Sequence, residues 1–367
     1  MAYAYFDYSA TTPLDPRVRA VLLEGLDHFH NAGASYGPAL ERRAALQTAR
    51  ERFAASIQAD PREIVFTSGA TEANNLALKG AVGHPEAKRP RIITLQTEHK
   101  AVLDPVGVLA KQGVATEFLP VAGDGRLDLN RLAEALRAAP TTLVSVMAVN
   151  NETGVLQDIP AIAALVHEHG AKLHVDGVQA LGKMPVDVGA WNADMVSFSA
   201  HKIYGPVGIG ALWVRRLPKM RLQAQQQGGG QERGLRSGTA PVALIQALAE
   251  AAALATAELA ERTARVTALN QRLRAQLPLS IRPNVDGHKV PHIENIALRI
   301  GAAKALALAD RARLALSAGS ACQSGGEGSH VLQAMNLPSA ASSLRISLSH
   351  LTRDDELEQL LAFLHHL

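Results

Sequence analysis

From about residue 40 to 215, short apolar runs alternate with stretches whose apolar residues recur at helical spacing. The runs at 63–67, 91–97, 142–149, 172–175, 194–198 and 209–214 predict strands. The segments 129–139 and 159–169 predict helices, the second with Pro160 near its start and Gly170 just beyond its end. Strands alternating with helices in this way predict an α/β layer with a mostly parallel sheet. The pattern then changes. A Gln/Gly stretch at 225–231, with Gly228-Gly229-Gly230 inside it, reads as a loop or linker. The Ala/Leu/Glu/Arg-rich run 241–277 predicts one long helix or two, bridging into a second domain. No internal repeat is visible.

Composition narrows the class. With 367 residues and 47% hydrophobic content the chain can bury a large core, and its length suits two domains better than one. A net charge of +3, from 37 basic and 34 acidic residues, calls for no nucleic-acid partner. The start, Met1 to Asp7, lacks the basic and apolar regions of a signal peptide, and no apolar run reaches membrane-spanning length. The expectation is a soluble, cytoplasmic protein without a membrane partner. The single cysteine, Cys322, excludes an internal disulfide and a cysteine-rich metal site, and no metal is expected. Its thiol is left for chemistry.

Two segments carry the strongest chemical signal. Ser197-Phe198-Ser199-Ala200-His201-Lys202-Ile203-Tyr204-Gly205-Pro206 ends a strand-like run with a lysine among small, hydroxylated and glycine residues. Leu173-His174-Val175-Asp176-Gly177-Val178-Gln179 delivers a carboxylate at the end of another. Pyridoxal phosphate (PLP) needs both groups: an amine to hold its aldehyde as an imine, and a carboxylate to keep its ring nitrogen protonated. In isolation such a lysine is usually a surface residue and such an aspartate a helix cap. In Thr67-Ser68-Gly69-Ala70-Thr71-Glu72-Ala73-Asn74-Asn75 a strand turns into a helix, where backbone N–H groups and the Thr71 hydroxyl can surround a phosphate. Thr97-Glu98-His99-Lys100 puts an imidazole at a strand end, and Val149-Asn150-Asn151-Glu152-Thr153-Gly154 puts amides at another, where a simple turn is the alternative.

Together with Phe6-Asp7-Tyr8-Ser9-Ala10-Thr11-Thr12-Pro13 and Arg236-Ser237-Gly238-Thr239, these segments resemble the class V aminotransferase family of fold-type I PLP enzymes, and within it the cysteine desulfurases. The resemblance spans nearly the whole chain. It implies a seven-stranded-type, mostly parallel sheet in a large domain over 14–255, and a smaller α+β domain built from 1–13 and 256–367. It implies that Lys202 forms the imine, Asp176 pairs with the ring nitrogen, Gln179 hydrogen-bonds the ring hydroxyl and His99 stacks on the ring. Ala70, Thr71, Ser199 and His201 would hold the phosphate, with the partner subunit's Thr239 reaching it in a homodimer. Asn151 would touch cofactor and substrate, and Arg345 would clamp the carboxylate of L-cysteine; an ion pair is the alternative for this arginine.

Cys322 lies in a Gly/Ser-rich segment, Ser317 to Gly328, unlike the apolar surroundings of a cysteine that merely fills a core. That segment resembles the long loop of the desulfurase group containing iron-sulfur housekeeping and nitrogen-fixation enzymes. The implied reaction moves sulfur from L-cysteine to Cys322 as a persulfide and releases L-alanine, with Lys202 taking the Cα proton and His99 handling the thiol proton. The persulfide would pass to a sulfur-acceptor protein, with an iron-sulfur scaffold among the candidates. Selenocysteine lyase, cysteine sulfinate desulfinase, a class V aminotransferase and a non-enzymatic PLP-fold partner protein remain alternatives. The chain departs from the housekeeping pattern at His30-Asn31-Ala32-Gly33, at Gly177 in place of alanine, at His350 in place of arginine, and in ending at Leu367 without the longer tail that docks the scaffold.

Overall fold

The computed structural model describes residues 3–87, 90–216, 220–319 and 328–367. Among these, the strands are β1 (Ala4–Tyr5), β2 (Ile64–Thr67), β3 (Arg91–Leu95), β4 (Ala115–Leu119), β5 (Leu143–Met147), β6 (Lys172–Asp176), β7 (Met195–Ser199), β8 (Gly210–Val214), β9 (Arg282–Pro283), β10 (Ile293–Ala297), β11 (Leu314–Ala315) and β12 (Ser343–Ser347). Seven form one sheet in the order β2-β8-β7-β6-β5-β3-β4. Only β8 runs against its neighbours; the remaining pairs are parallel.

Both faces of this sheet are covered, which explains the nearly unbroken apolar runs. Successive side chains point to opposite faces. Val65, Ile92, Leu143, Met195 and Leu212 pack in one cluster with Leu76 and Ala77 of the helix Ala70–Gly83 and Val102 and Val106 of the helix Lys100–Lys111. The alternate residues Phe66, Ile93, Val144, Val175 and Phe198 join a second cluster with Phe53, Ile162, Ile245 and Leu248 from helices on the other face. The six predicted strands all lie in this sheet. The seventh, β4, breaks the apolar pattern because it is an edge strand: it pairs only with β3, is largely half-buried, and carries Glu117 in an ion pair with Arg91.

The predicted helices form at Leu129–Ala138 and Ile159–Glu168, each capped by an aspartate, Asp128 and Asp158, that accepts a backbone N–H. The run 241–277 divides into helices Val242–Ala257 and Leu259–Ala275, bent by 67° at Glu258. Glu258 holds the bend through Arg262, at 2.6 Å, and Arg17. Beyond it a separate core forms from Val266, Leu269, Leu273, Ile296, Leu344, Ile346 and Leu360, over the antiparallel sheet β12-β10-β9. The chain's first residues belong to that core. Strand β1 pairs in parallel with β11, and Phe6 is fully buried there.

Candidate active site

Five strands of the parallel set end at one cavity of about 360 Å³, as open α/β sheets place their sites at the carboxyl ends of strands. Beyond β2, Gly69 takes φ 154° and ψ −179°, a conformation essentially reserved for glycine, and turns the chain into the helix Ala70–Gly83. No side chain caps that helix, so the N–H groups of its first turn, at Ala70 and Thr71, are left for a ligand. Close packing keeps the turn in place. A Cβ at Gly210 would lie 2.7 Å from Gly69 Cα and 2.5 Å from the Phe198 carbonyl oxygen.

At the end of β6, Asp176 accepts from Asn74 Nδ2 at 2.8 Å and from the Val178 N–H at 3.1 Å, which fixes its carboxylate at the cavity wall. Beyond β7, the short turn Ala200–Lys202 brings Lys202 to the cavity, where Nζ donates to the carbonyl oxygens of Ser9 (2.5 Å) and Ala10 (2.7 Å). The N-terminal motif is thus part of the site. His201 binds Thr11 Oγ1 through Nδ1 at 3.2 Å; burial lowers its pKa to about 4, with the positive charges of Lys202 and Lys183 acting the same way.

His99 caps the helix Lys100–Lys111: its Nδ1 accepts the Ala101 N–H at 3.0 Å. The neutral ring therefore carries its hydrogen at Nε2. Burial holds its pKa below the ordinary value, Asp176 opposing this and Lys202 reinforcing it. Asn150 is spent on the turn, its Oδ1 accepting from the N–H groups of Glu152 and Thr153, whereas Asn151 lines the cavity with a buried Oδ1 that has no partner. Arg345, 1% exposed, donates from one terminal nitrogen to Asp7 at 2.7 Å and from the other to the Asn151 carbonyl at 3.0 Å. Its Nε is buried without a partner. The ion pair with Asp7 is therefore real, yet it lies inside the cavity wall.

Ala70, Thr71, His99, Asn151, Asp176, Gln179, Ser199, His201, Lys202 and Arg345 thus line one space. Thr239 is exposed and lies outside that lining in its own chain. Cys322 lies outside the described residues. The residues flanking it are held in place: Ser317 pairs with Arg345 of the cavity lining, Gly319 packs against the buried Glu152 next to Asn151, and Ser329 Oγ donates to Glu152 Oε2 at 2.5 Å. Sequence reasoning passed over Asn74, Ser9, Glu152 and Lys183. Asn74 sits in a motif valued for its phosphate turn, and helical spacing from Thr71 was the available signal. Lys183 is almost fully buried and contacts Gln179 Oε1 through Nζ; burial, with Lys202 and Arg345 nearby, lowers its pKa to about 7.

A model of the class-V aminotransferases matches residues 4–360. The chain belongs to the class-V aminotransferase family. Among the relatives of this class-V protein, cysteine desulfurase IscS of Photorhabdus laumondii is 44% identical over 98% of this chain and 91% of its own length. Cysteine desulfurase IscS of Dechloromonas aromatica is 45% identical over 98% and 91%. A solved NifS-like protein superposes with a TM-score of 0.92 at 31% identity, covering 99% of this chain and 98% of its own.

The cofactor of this family is PLP, and the residues present fit it. An uncapped helix N-terminus with the Thr71 and Ser199 hydroxyls suits a phosphate, a doubly held carboxylate suits a pyridinium nitrogen, and a lysine amine suits an aldehyde. Two departures also have physical accounts. A Cβ at Gly177 would lie 2.8 Å from Val196 Cγ1 and 3.0 Å from Phe198 Cε1, so glycine matches this packing. His350 stacks edge-on against Tyr204 at 4.8 Å and is held to a pKa of about 4 by burial, with Arg262 adding to the effect. A neutral ring there avoids a second cation beside that arginine.

Proposed function

We propose that this chain is a PLP-dependent cysteine desulfurase that transfers the sulfur of L-cysteine to Cys322 and releases L-alanine. The observation that carries the reading is the convergence of Lys202, Asp176, His99 and Arg345 on one cavity, with Ser317, ahead of the Cys322 segment, paired with the lining residue Arg345. Bound PLP supplies an electron sink for the bond broken at the substrate Cα. The chain's own residues do the rest.

Ala70, Thr71, Ser199 and His201 would hold the phosphate, Asp176 would pair with the ring nitrogen, Gln179 with the ring oxygen, and His99 would pack on the ring. Arg345 Nε, a donor unsatisfied inside the wall, meets the substrate carboxylate, and Asn151 Oδ1, an unsatisfied acceptor, is left for a donor of the bound cofactor or substrate. The Lys202 amine takes the Cα proton. With Nδ1 committed to the Ala101 N–H, His99 offers its Nε2 hydrogen to the substrate sulfur. The Cys322 thiolate then forms the S–S bond as the Cβ–S bond breaks, and the electron pair left on carbon is protonated to give alanine. Atoms balance: one thiol and one cysteine give one persulfide and one alanine.

The same reading makes the protein a cytoplasmic homodimer that hands sulfur to an acceptor protein, an iron-sulfur scaffold being the first to test. Exposure of Thr239 beyond the glycine run supports its delivery to a neighbour's phosphate site. A large domain over 14–255 and a small one over 1–13 and 256–367 belong to the same reading: the second core lies wholly within the small one, although Val285, Val290, Ile293, Val331, Leu332 and Met335 pack into the large core.

The test compares alanine production from L-cysteine by wild type and Cys322→Ala, with mass spectrometry of the wild-type Cys322 peptide. The variant should keep the cofactor's absorbance and lose at least about a hundredfold in rate. Equal rates with no added sulfur on Cys322 would reassign the protein as a lyase or desulfinase.

A further inference from the structure

We propose that Lys183 is a positioning residue of the cofactor site, whose ammonium orients the Gln179 carboxamide so that it presents a donor to the ring oxygen of PLP. The proposal rests on the reading of Gln179 as that oxygen's partner.

An ammonium has donors and no acceptor, whereas a primary amide has both and can be turned either way. Lys183 Nζ contacts Gln179 Oε1, and on the other side Gln179 Nε2 donates to the Ser9 carbonyl at 2.9 Å. A reversed amide would set NH2 against NH3⁺ and oxygen against oxygen. With Lys183 protonated, the form favoured below about pH 7, both ends of the Gln179 amide are therefore specified, one by a group that only donates and one by a group that only accepts. Nε2 keeps a second hydrogen for a ligand of the cavity that Gln179 lines. The same Ser9 carbonyl accepts from Lys202 Nζ, so this chain of contacts ends at the lysine that holds the cofactor.

The backbone carrying the contact is rigid. Gln179 and Lys183 stand four residues apart in one turn, closed by the Lys183 N–H on the Ala180 carbonyl at 2.9 Å. Between them Gly182 takes φ 76° and packs so closely that a Cβ would meet Ala255 Cβ at 3.1 Å and Ile203 Cγ2 at 3.2 Å. Among the described residues no carboxylate lies within ion-pair distance of Lys183 Nζ, although the residue is only 9% exposed. Burying a cation without a counter-ion is unfavourable, so the fold alone gives no reason for a lysine here, whereas the oriented amide does.

The experiment reconstitutes the full-length apoprotein with PLP and measures the dissociation constant, the pH dependence of the bound cofactor's visible absorbance without substrate, and the melting temperature of the apo form. Wild type is compared with Lys183→Met, Lys183→Arg, Gln179→Leu and the double variant K183M/Q179L. Lys183→Met should weaken PLP binding roughly tenfold, the upper range for one neutral hydrogen bond, and shift the pH midpoint of the absorbance. It should leave the apo melting temperature equal or higher, because it removes an unpaired buried cation. Lys183→Arg should recover most of the affinity. In the Gln179→Leu background Lys183→Met should add less than about a twofold change. Wild-type affinity and absorbance in Lys183→Met, or its full effect in the Gln179→Leu background, would overturn the proposal. Gln179→Leu binding PLP as wild type does would instead overturn the Gln179 reading beneath it.

Discussion

Lys202 is held on the carbonyl oxygens of Ser9 and Ala10, so the amine proposed to hold the cofactor is aimed by a segment nearly two hundred residues earlier in the chain. A second buried lysine, Lys183, lies close enough for its charge to act on Lys202's surroundings, but its Nζ is engaged by Gln179. Borohydride reduction of the holoenzyme followed by peptide mapping should therefore label Lys202 alone, and Lys202→Ala should show no labelled lysine. A label on Lys183 in the wild type would overturn the assignment. Asp176 illustrates the same dependence on neighbours: Asn74, from the helix Ala70–Gly83, pins one oxygen of the carboxylate proposed to meet the ring.

At the scale of elements, the turn from β2 into the helix Ala70–Gly83 rests on Gly69, whose φ of 154° and ψ of −179° no side-chain-bearing residue adopts without strain. Gly69→Ala should cost about 1–3 kcal/mol of stability in denaturant unfolding of the apoprotein and weaken PLP binding with it, because the N–H groups of Ala70 and Thr71 move together. An unchanged unfolding midpoint would show that the turn relaxes freely. Most elements were legible from pattern. Strands β3, β5, β7 and β8 are buried at every residue and so wrote themselves as apolar runs. Strand β4 was not legible, because an edge strand with a charged residue needs only one neighbour and leaves much of its surface half-exposed.

For the whole molecule, pH couples to the cores. His174 and His292 are buried, and burial lowers each pKa to about 3 from the ordinary 6.5. His174 is bonded to Ser145 Oγ and Ser197 Oγ at 2.8 and 2.9 Å, while His292 Nδ1 has no partner. A base with a lowered folded pKa binds its proton more readily when unfolded, so its contribution is whole above pH 6.5 and is lost as pH falls from there towards 3. Between pH 7.5 and 5.0 each of these two rings should remove up to about 2 kcal/mol of stability, read as a falling urea midpoint of the apoprotein. A midpoint that stays level across that span would mean both rings are hydrated in the folded state.

The sequence by itself determined the α/β class, six of the seven large-sheet strands, and the strand-end groups at Ala70, Thr71, His99, Asn151, Asp176 and Lys202, because apolar periodicity and short strand-end motifs are local properties of the chain; Gln179, Ser199, His201 and Arg345 came from the family likeness. The lysine–aspartate pair pointed to the cofactor, and the family likeness supplied the remaining roles. Tertiary structure alone decided that Asn74 holds Asp176, that Ser9 and Ala10 receive Lys202, and that Glu152 meets both flanks of the Cys322 segment. It also decided that Phe6 belongs with the C-terminal core. These partners are mostly tens to hundreds of residues apart, and a hydrogen bond between them depends on angles and ångströms that only the packed sheet and its covering helices set.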